Sequence, residues 1–194
     1  MAINNIREGK LLYHLTELDN LPSIIQYGLL PRKYAKQFKF KDIANPEIIE
    51  KRSRFNLDNY TPFHFHPYSA FDVAVKNEHK DDNLIYICIR REWAKANRFK
   101  ILPKHPLSIS ECTLYEYDEG FNKIDWEAMQ TRGNGNEYVK HVKMAECVTE
   151  LKILVKDFFQ ICVKDEKTKK NVEFLLKEND IDFPPPFINV QKWF

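Results

Sequence analysis

The sequence predicts one α+β domain spanning residues 1–194. Three observations carry that expectation. Strand-like and helix-like segments are interleaved along the whole chain. Neither an internal repeat nor a linker-like stretch interrupts them. The length suffices for one domain with a proper core, or at most two small ones.

The elements follow in order. Leu11 to Thr16 reads as a short first strand. Asp19 is placed to cap a helix carrying Leu21, Ile24 and Ile25, with Gly28 as its stop. Residues 32–44 are basic, aromatic and irregular, and read as a mobile loop. Residues 46–54 suit a helix with Pro46 in its first turn and Arg52 and Arg54 near its end. Tyr60 to His66 alternates like a strand and precedes a helix over about 68–77. Leu84 to Arg90 is the clearest strand, followed by a short helix and a strand from Arg98 to Leu102. The stretch 103–142 is patchy, with a strand-like piece at Leu114–Tyr117, a turn, a helix around Trp126 and a polar run. Strands at 144–149 and 158–163, a helix at 165–178 and a strand at 187–193 complete the pattern.

Composition narrows the function classes. With 43% apolar and 30% charged residues the chain is globular rather than disordered. A net charge of +2 neither demands nor excludes nucleic acid. Cys88, Cys112, Cys147 and Cys162 are widely spaced with no Cys-x-x-Cys pair, which suits reduced core residues better than a zinc site or a disulfide frame. No signal-like segment and no apolar run of membrane-spanning length is present, so the expectation is a cytoplasmic protein with no membrane partner.

One carboxylate stands out. Lys143-Met144-Ala145-Glu146-Cys147-Val148-Thr149 alternates like a strand and sets Glu146 among small and apolar neighbours. A carboxylate in a half-buried strand is costly unless it is paired or used. His14 and Thr16 point the same way from the first strand, and Arg52 lies near a helix end. Taken singly, each has a structural reading. His64 and His66 share a strand face but lack further ligands at convincing spacing, so no metal is expected. Gly133-Asn134-Gly135 lacks the Lys-Ser/Thr of a phosphate-binding loop and reads as a turn. Neither a Gly-x-Gly-x-x-Gly fingerprint nor a Gly-x-Ser-x-Gly elbow occurs. Arg32 to Lys41 interleaves cations with aromatics, which suits single-stranded nucleic acid or a solvated loop pinned by its rings.

The order of several segments resembles the DarT family of DNA ADP-ribosyltransferase toxins. They are Tyr13-His14-Leu15-Thr16, Asp19 to Ile24, Gly28-Leu29-Leu30, Asn45 to Arg52, Asn59 to Ser69, Ile124-Asp125-Trp126, Met144-Ala145-Glu146 and the terminal Trp193-Phe194. The chain departs from that pattern in a short Ser53–Asn59 stretch, in Phe63-His64-Phe65, and in Lys143-Met144 before Ala145-Glu146.

The resemblance implies an ADP-ribosyltransferase-type domain with a mixed, split β-sheet core and flanking helices. It implies NAD as co-substrate and ADP-ribose transfer to a nucleobase in single-stranded DNA. Glu146 and Arg52 would be the catalytic pair, and His14, Thr16, Asn20, Gly28 and Leu29 would hold NAD. The loop between the first helix and Tyr60 would help bind nucleic acid, and an antitoxin protein would restrain the enzyme; the cationic nicotinamide needs an aromatic, water-poor pocket, for which Tyr60, Phe63 and Phe65 are candidates. The same chemistry on RNA or protein, or a silent nucleic-acid-binding module, are the rival readings.

Overall fold

A computed structural model describes residues 5–38, 40–78, 83–106, 112–131, 136–181 and 184–194. The Gly133-Asn134-Gly135 turn lies outside the described residues. Among the described residues eight strands form one mixed sheet: β1 (Leu11–Glu17), β2 (Thr61–His64), β3 (Leu84–Arg90), β4 (Lys100–Leu102), β5 (Tyr115–Glu116), β6 (Glu146–Thr149), β7 (Gln160–Val163) and β8 (Phe187–Val190). Their order is β5-β4-β6-β2-β1-β3-β7-β8. All neighbours are antiparallel except β7 and β8. That parallel pair needs a crossover, which α9 (Glu166–Lys177) supplies. Asp165 starts α9 by accepting from the Thr168 backbone N–H at 2.7 Å.

The sheet is split at its centre. β1 and β3 pair along all seven residues, from Leu11 with Arg90 to Glu17 with Leu84. β1 and β2 share one register pair, Tyr13 with His64. Beyond that pair the two strands diverge and a cleft opens between the halves.

Alternation sends side chains to two cores. Leu12, Phe63, Ile85, Ile87, Ile89 and Cys147 face a large core with α1 (Leu21–Tyr27), α9 and the helices after β4. Leu15, Tyr86, Cys88 and Cys162 face a smaller one with Val75, Trp193 and Phe194. The Cys88 and Cys162 sulfurs stand 3.9 Å apart as free thiols.

The remaining helices differ from expectation in instructive ways. Asp19 lies inside a short 3-10 turn (Leu18–Asn20) rather than capping α1. The segment expected as an irregular loop contains α2 (Arg32–Ala35). α3 (Pro46–Arg54) keeps its expected limits, because Asn45 accepts from the Glu47 N–H at 2.9 Å and Pro46 presets the first turn. α4 (Ala70–Glu78) follows β2, and α5 (Arg91–Ala96) follows β3. The patchy stretch holds α6 (Tyr117–Lys123), α7 (Trp126–Gln130) and α8 (Glu137–Lys143), of which the sequence signalled only α7. Gly120 hid α6: a Cβ there would lie 2.6 Å from the Cβ of Ile101, so the residue that weakens the helical pattern is what lets the helix sit on β4. α8 buries Val142 and carries little apolar pattern; its signal is the cap, Asn136 accepting from Val139 N–H at 3.0 Å.

Candidate active site

The cleft between β1 and β2 is walled by α1, the 32–44 segment and α3, and encloses about 1110 Å³ of empty space, its open mouth included. Glu146, Arg52, His14, Thr16, Asn20, Gly28 and Leu29 all line it. His14 and Thr16 alternate with Tyr13 and Leu15 along β1, yet both sets reach the cleft, because the sheet parts there.

Glu146 begins β6, between His64 on β2 and Leu102 on β4. It is 3% exposed and Arg52 is 5% exposed. Arg52 Nη1 donates to Glu146 Oε1 at 2.7 Å and to Oε2 at 2.5 Å, and Nη2 donates to the Leu57 carbonyl at 3.2 Å. Burial alone would raise the Glu146 carboxyl; the Arg52 charge, then His64 and His105, outweigh it and hold it below the ordinary carboxylate value. Glu146 is therefore an ionised base in a dry setting, poised to meet developing positive charge.

His14 donates from Nδ1 to the Pro62 carbonyl at 2.8 Å. Burial lowers its pKa to about 4, so near pH 7 the ring is neutral. With the proton on Nδ1, Nε2 is left as an acceptor. Asn20 ties the cleft's own backbone together. Its Nδ2 donates to Thr16 Oγ1 at 3.1 Å and to the Lys41 carbonyl at 2.9 Å, while Oδ1 accepts from Lys41 N–H at 2.7 Å. Asn20 thus clamps the 32–44 segment over the cleft.

Gly28 has φ +85°, and a Cβ there would meet Lys152 Cγ at 2.7 Å and the Ile153 carbonyl at 3.1 Å. Leu29 spends both backbone groups on Ile153, donating at 2.8 Å and accepting at 3.0 Å, so its buried side chain is what it offers as a wall. The pair therefore shapes the cleft through close backbone packing.

The expected aromatic pocket is redrawn. Tyr60 lines the cleft. Phe63 and Phe65 face the large core instead, Phe63 against Phe99 and Phe65 against Trp126. Strand alternation explains Phe63: it points away from the face that carries His64. The aromatic wall comes from residues the sequence did not single out for that role, Tyr27, Phe38, Phe40 and Phe71. Tyr27 and Phe38 stack at 3.9 Å between centroids.

The 32–41 run is divided by α2. Arg32, Ala35 and Phe38 turn into the cleft, while Lys33, Tyr34 and Lys36 are exposed. Arg32 pairs with Asp42 at 2.8 Å and keeps a buried Nε without a hydrogen-bond partner among the described residues. Burial lowers its pKa against the pull of Asp42. His105 also reaches the cleft, and burial holds its pKa at about 4. Neither Arg32 nor His105 carried a sequence signal for this site. Among the described residues no group of three or more His, Cys, Asp or Glu is arranged to hold a metal ion.

The profile of one family, "ssDNA thymidine ADP-ribosyltransferase, DarT", matches residues 13–194. A DNA ADP-ribosyl transferase of Thermus aquaticus is 27% identical over 206 residues, covering 95% of this chain and 88% of that protein. The structure of Thermus sp. 2.9 DarT in complex with ADP-ribosylated ssDNA superposes with a TM-score of 0.81 at 21% identity, covering 95% of each chain. Its NAD+ complex gives 0.75 at 19% identity, covering 95% of this chain and 96% of that one. At such identity the structural likeness establishes the fold, the split mixed sheet with its flanking helices. With the profile running from the first strand to the last residue, the chain belongs to the DarT family of single-stranded-DNA thymidine ADP-ribosyltransferases.

Proposed function

We propose that this protein transfers ADP-ribose from NAD to thymidine in single-stranded DNA, with Glu146 as the catalytic carboxylate. The observation that carries the reading is the buried Arg52–Glu146 pair lining a cleft shared with His14, Thr16 and Asn20. The residues present fit a dinucleotide. His14 Nε2 and the Thr16 hydroxyl suit ribose hydroxyls. Arg32, with its spare buried Nε, suits the diphosphate. Tyr27, Phe38 and Tyr60 supply ring faces for the adenine and nicotinamide.

Transfer breaks the bond between the ribose anomeric carbon and the nicotinamide nitrogen through an oxocarbenium-like state. Glu146 stabilises that positive charge and holds the adjacent hydroxyl. Nicotinamide leaves neutral with the bonding pair. In thymidine N1 is already bound to deoxyribose, so N3 is the ring nitrogen that carries a proton. N3 forms the new bond to the anomeric carbon, and its proton passes to Glu146. Arg52 keeps Glu146 oriented and ionised until then.

The exposed cation–aromatic face of Lys33, Tyr34 and Lys36 suits an unstacked, charged strand. An enzyme that modifies its own cell's DNA requires restraint, so an antitoxin protein belongs to this reading, as does a cytoplasmic setting that holds NAD and DNA. Among the described residues no helix is long and apolar enough to cross a membrane.

The test is incubation with NAD and single-stranded oligonucleotides with and without thymidine, read by mass spectrometry. The expected result is one added ADP-ribose on thymidine-containing DNA and none with Glu146→Gln. An adduct on oligoribonucleotides alone, or none at all, overturns the reading.

A further inference from the structure

A second buried titratable pair, His64 with Asp72, adjoins Glu146. His64 stands opposite Glu146 across the β2–β6 ladder, so both side chains rise from the same sheet face. His64 Nδ1 lies 3.6 Å from Asp72 Oδ2 and 3.4 Å from Ser69 Oγ. Asp72 sits in the first turn of α4 and is 1% exposed. Its Oδ2 accepts from Ser69 Oγ at 2.6 Å and from Ser69 N–H at 2.9 Å, while Oδ1 is buried without a hydrogen-bond partner among the described residues. Ser69 Oγ in turn accepts from Asp72 N–H at 3.1 Å. Ser69 therefore fixes the carboxylate that faces His64.

The charged groups facing His64 come from several elements: Asp72 from α4, Glu146 from β6 and Arg52 from α3. His14, His66 and His105 are also near, and burial keeps each neutral near pH 7, with pKa values lowered to about 4. Two carboxylates and one guanidinium leave the cluster one positive charge short of balance. A proton on His64 completes it, giving alternating signs along Asp72, His64, Glu146 and Arg52. Buried charge persists only when so compensated. Burial alone would lower the His64 pKa; the facing Asp72 carboxylate, and then Glu146, raise it above its ordinary value instead.

We propose that His64, facing Asp72 and standing opposite Glu146 across the β2–β6 ladder, is a positioning residue that keeps the catalytic carboxylate ionised, and that Ser69 and Asp72 hold His64 in that role. The inference rests on the reading of Glu146 as the catalytic base. Without the imidazolium, Glu146 faces Arg52 alone and binds a proton more readily. A base that protonates sooner loses its function at higher pH.

The experiment compares pH–rate profiles of NAD-dependent transfer to a thymidine-containing single strand for the unmodified protein, Asp72→Asn, His64→Gln and the double variant. Asp72→Asn keeps the shape and a Ser69 partner but removes the charge that sustains the imidazolium. The expected result is an acid limb displaced upward by roughly one pH unit in each single variant, with no further displacement in the double variant. Nitrogen-15 NMR of the histidine rings, which needs no activity, is expected to show His64 as imidazolium near neutral pH in the unmodified protein and neutral in Asp72→Asn. Acid limbs that coincide across all four proteins, or a neutral His64 in the unmodified protein, overturn the proposal. Should His64→Gln fail to fold, Asp72→Asn and the NMR spectra decide. Absence of Glu146-dependent transfer in the unmodified protein would instead remove the functional reading, and the imidazole spectra would still decide the state of His64.

Discussion

His14 reaches across the parted sheet and donates to the Pro62 carbonyl at 2.8 Å, so a side chain bridges β1 and β2 where the backbone ladder has ended. The bond does two things. It closes the edge of the cleft, and it fixes the tautomer that presents Nε2 as an acceptor. In the proposed NAD complex, fold and ligand recognition share one imidazole.

His14→Ala is expected to weaken NAD binding about tenfold, the worth of one hydrogen bond to ligand, and to leave the Pro62 carbonyl without its partner. Calorimetric titration with NAD checks the first, and thermal unfolding the second. Unchanged affinity would show that the ring serves the sheet alone.

Arg52→Ala strands a carboxylate that is 3% exposed. Loss of about 3–5 kcal/mol is expected, a fall in melting temperature of about 10 °C for a chain of this size. Combining Arg52→Met with Glu146→Leu is expected to recover most of that stability while abolishing transfer, because the cost comes from the unpaired charge. Calorimetry of the two variants separates these outcomes.

Asn20→Ala removes two bonds to the Lys41 backbone, at 2.7 and 2.9 Å. The 32–44 segment is expected to be cut faster by protease and the KM for NAD to rise, with a smaller change in kcat. A kcat loss alone would argue that Asn20 touches the reacting groups rather than the clamp.

Gly28→Ala places a Cβ at φ +85°, 3.1 Å from the Ile153 carbonyl. Lys152 can swing aside, but the backbone oxygen cannot. A loss of about 1–3 kcal/mol is expected, with weaker NAD binding as the Leu29–Ile153 bridge shifts. Thermal unfolding with and without NAD reads both.

Acid stability follows from three histidines. His14, His66 and His105 have folded pKa values lowered to about 4. The unfolded chain binds their protons first, so stability is full above the ordinary histidine value and is lost as pH falls from about 6.5 toward 4. Each contributes about 3 kcal/mol across that window. His64 runs the other way: its raised pKa adds stability below about 6.5 that is lost as pH rises through its folded value. Urea unfolding at stepped pH is expected to show the three-to-one balance as a net loss toward acid.

The helix from Pro46 was legible to the residue because its signals are local: Asn45 caps and Pro46 presets φ. The strand from Leu84 was equally plain, since a buried strand carries its apolar run within itself. α6 and α8 were missed for the same reason in reverse. Their stability comes from docking on β4 and from a cap, and neither leaves an apolar stripe.

Of the site, the sequence determined the parts that act through chemistry close to the backbone: a carboxylate in an apolar strand, a histidine and a threonine on one strand face, and an arginine at a helix end. Their joint meaning came through ordered resemblance rather than spacing, because Arg52 and Glu146 are 94 positions apart. Only the tertiary structure decided which neighbours serve them. Alternation told that His64 and Phe63 diverge, but not which face the cleft would open on. The parting of β1 from β2 settled that, bringing residues of both parities to one cavity and turning Phe63 and Phe65 away from it. It also brought Asp72, His64, Glu146 and Arg52 together. Electrostatic coupling depends on distance through space, and no local pattern in the chain encodes it.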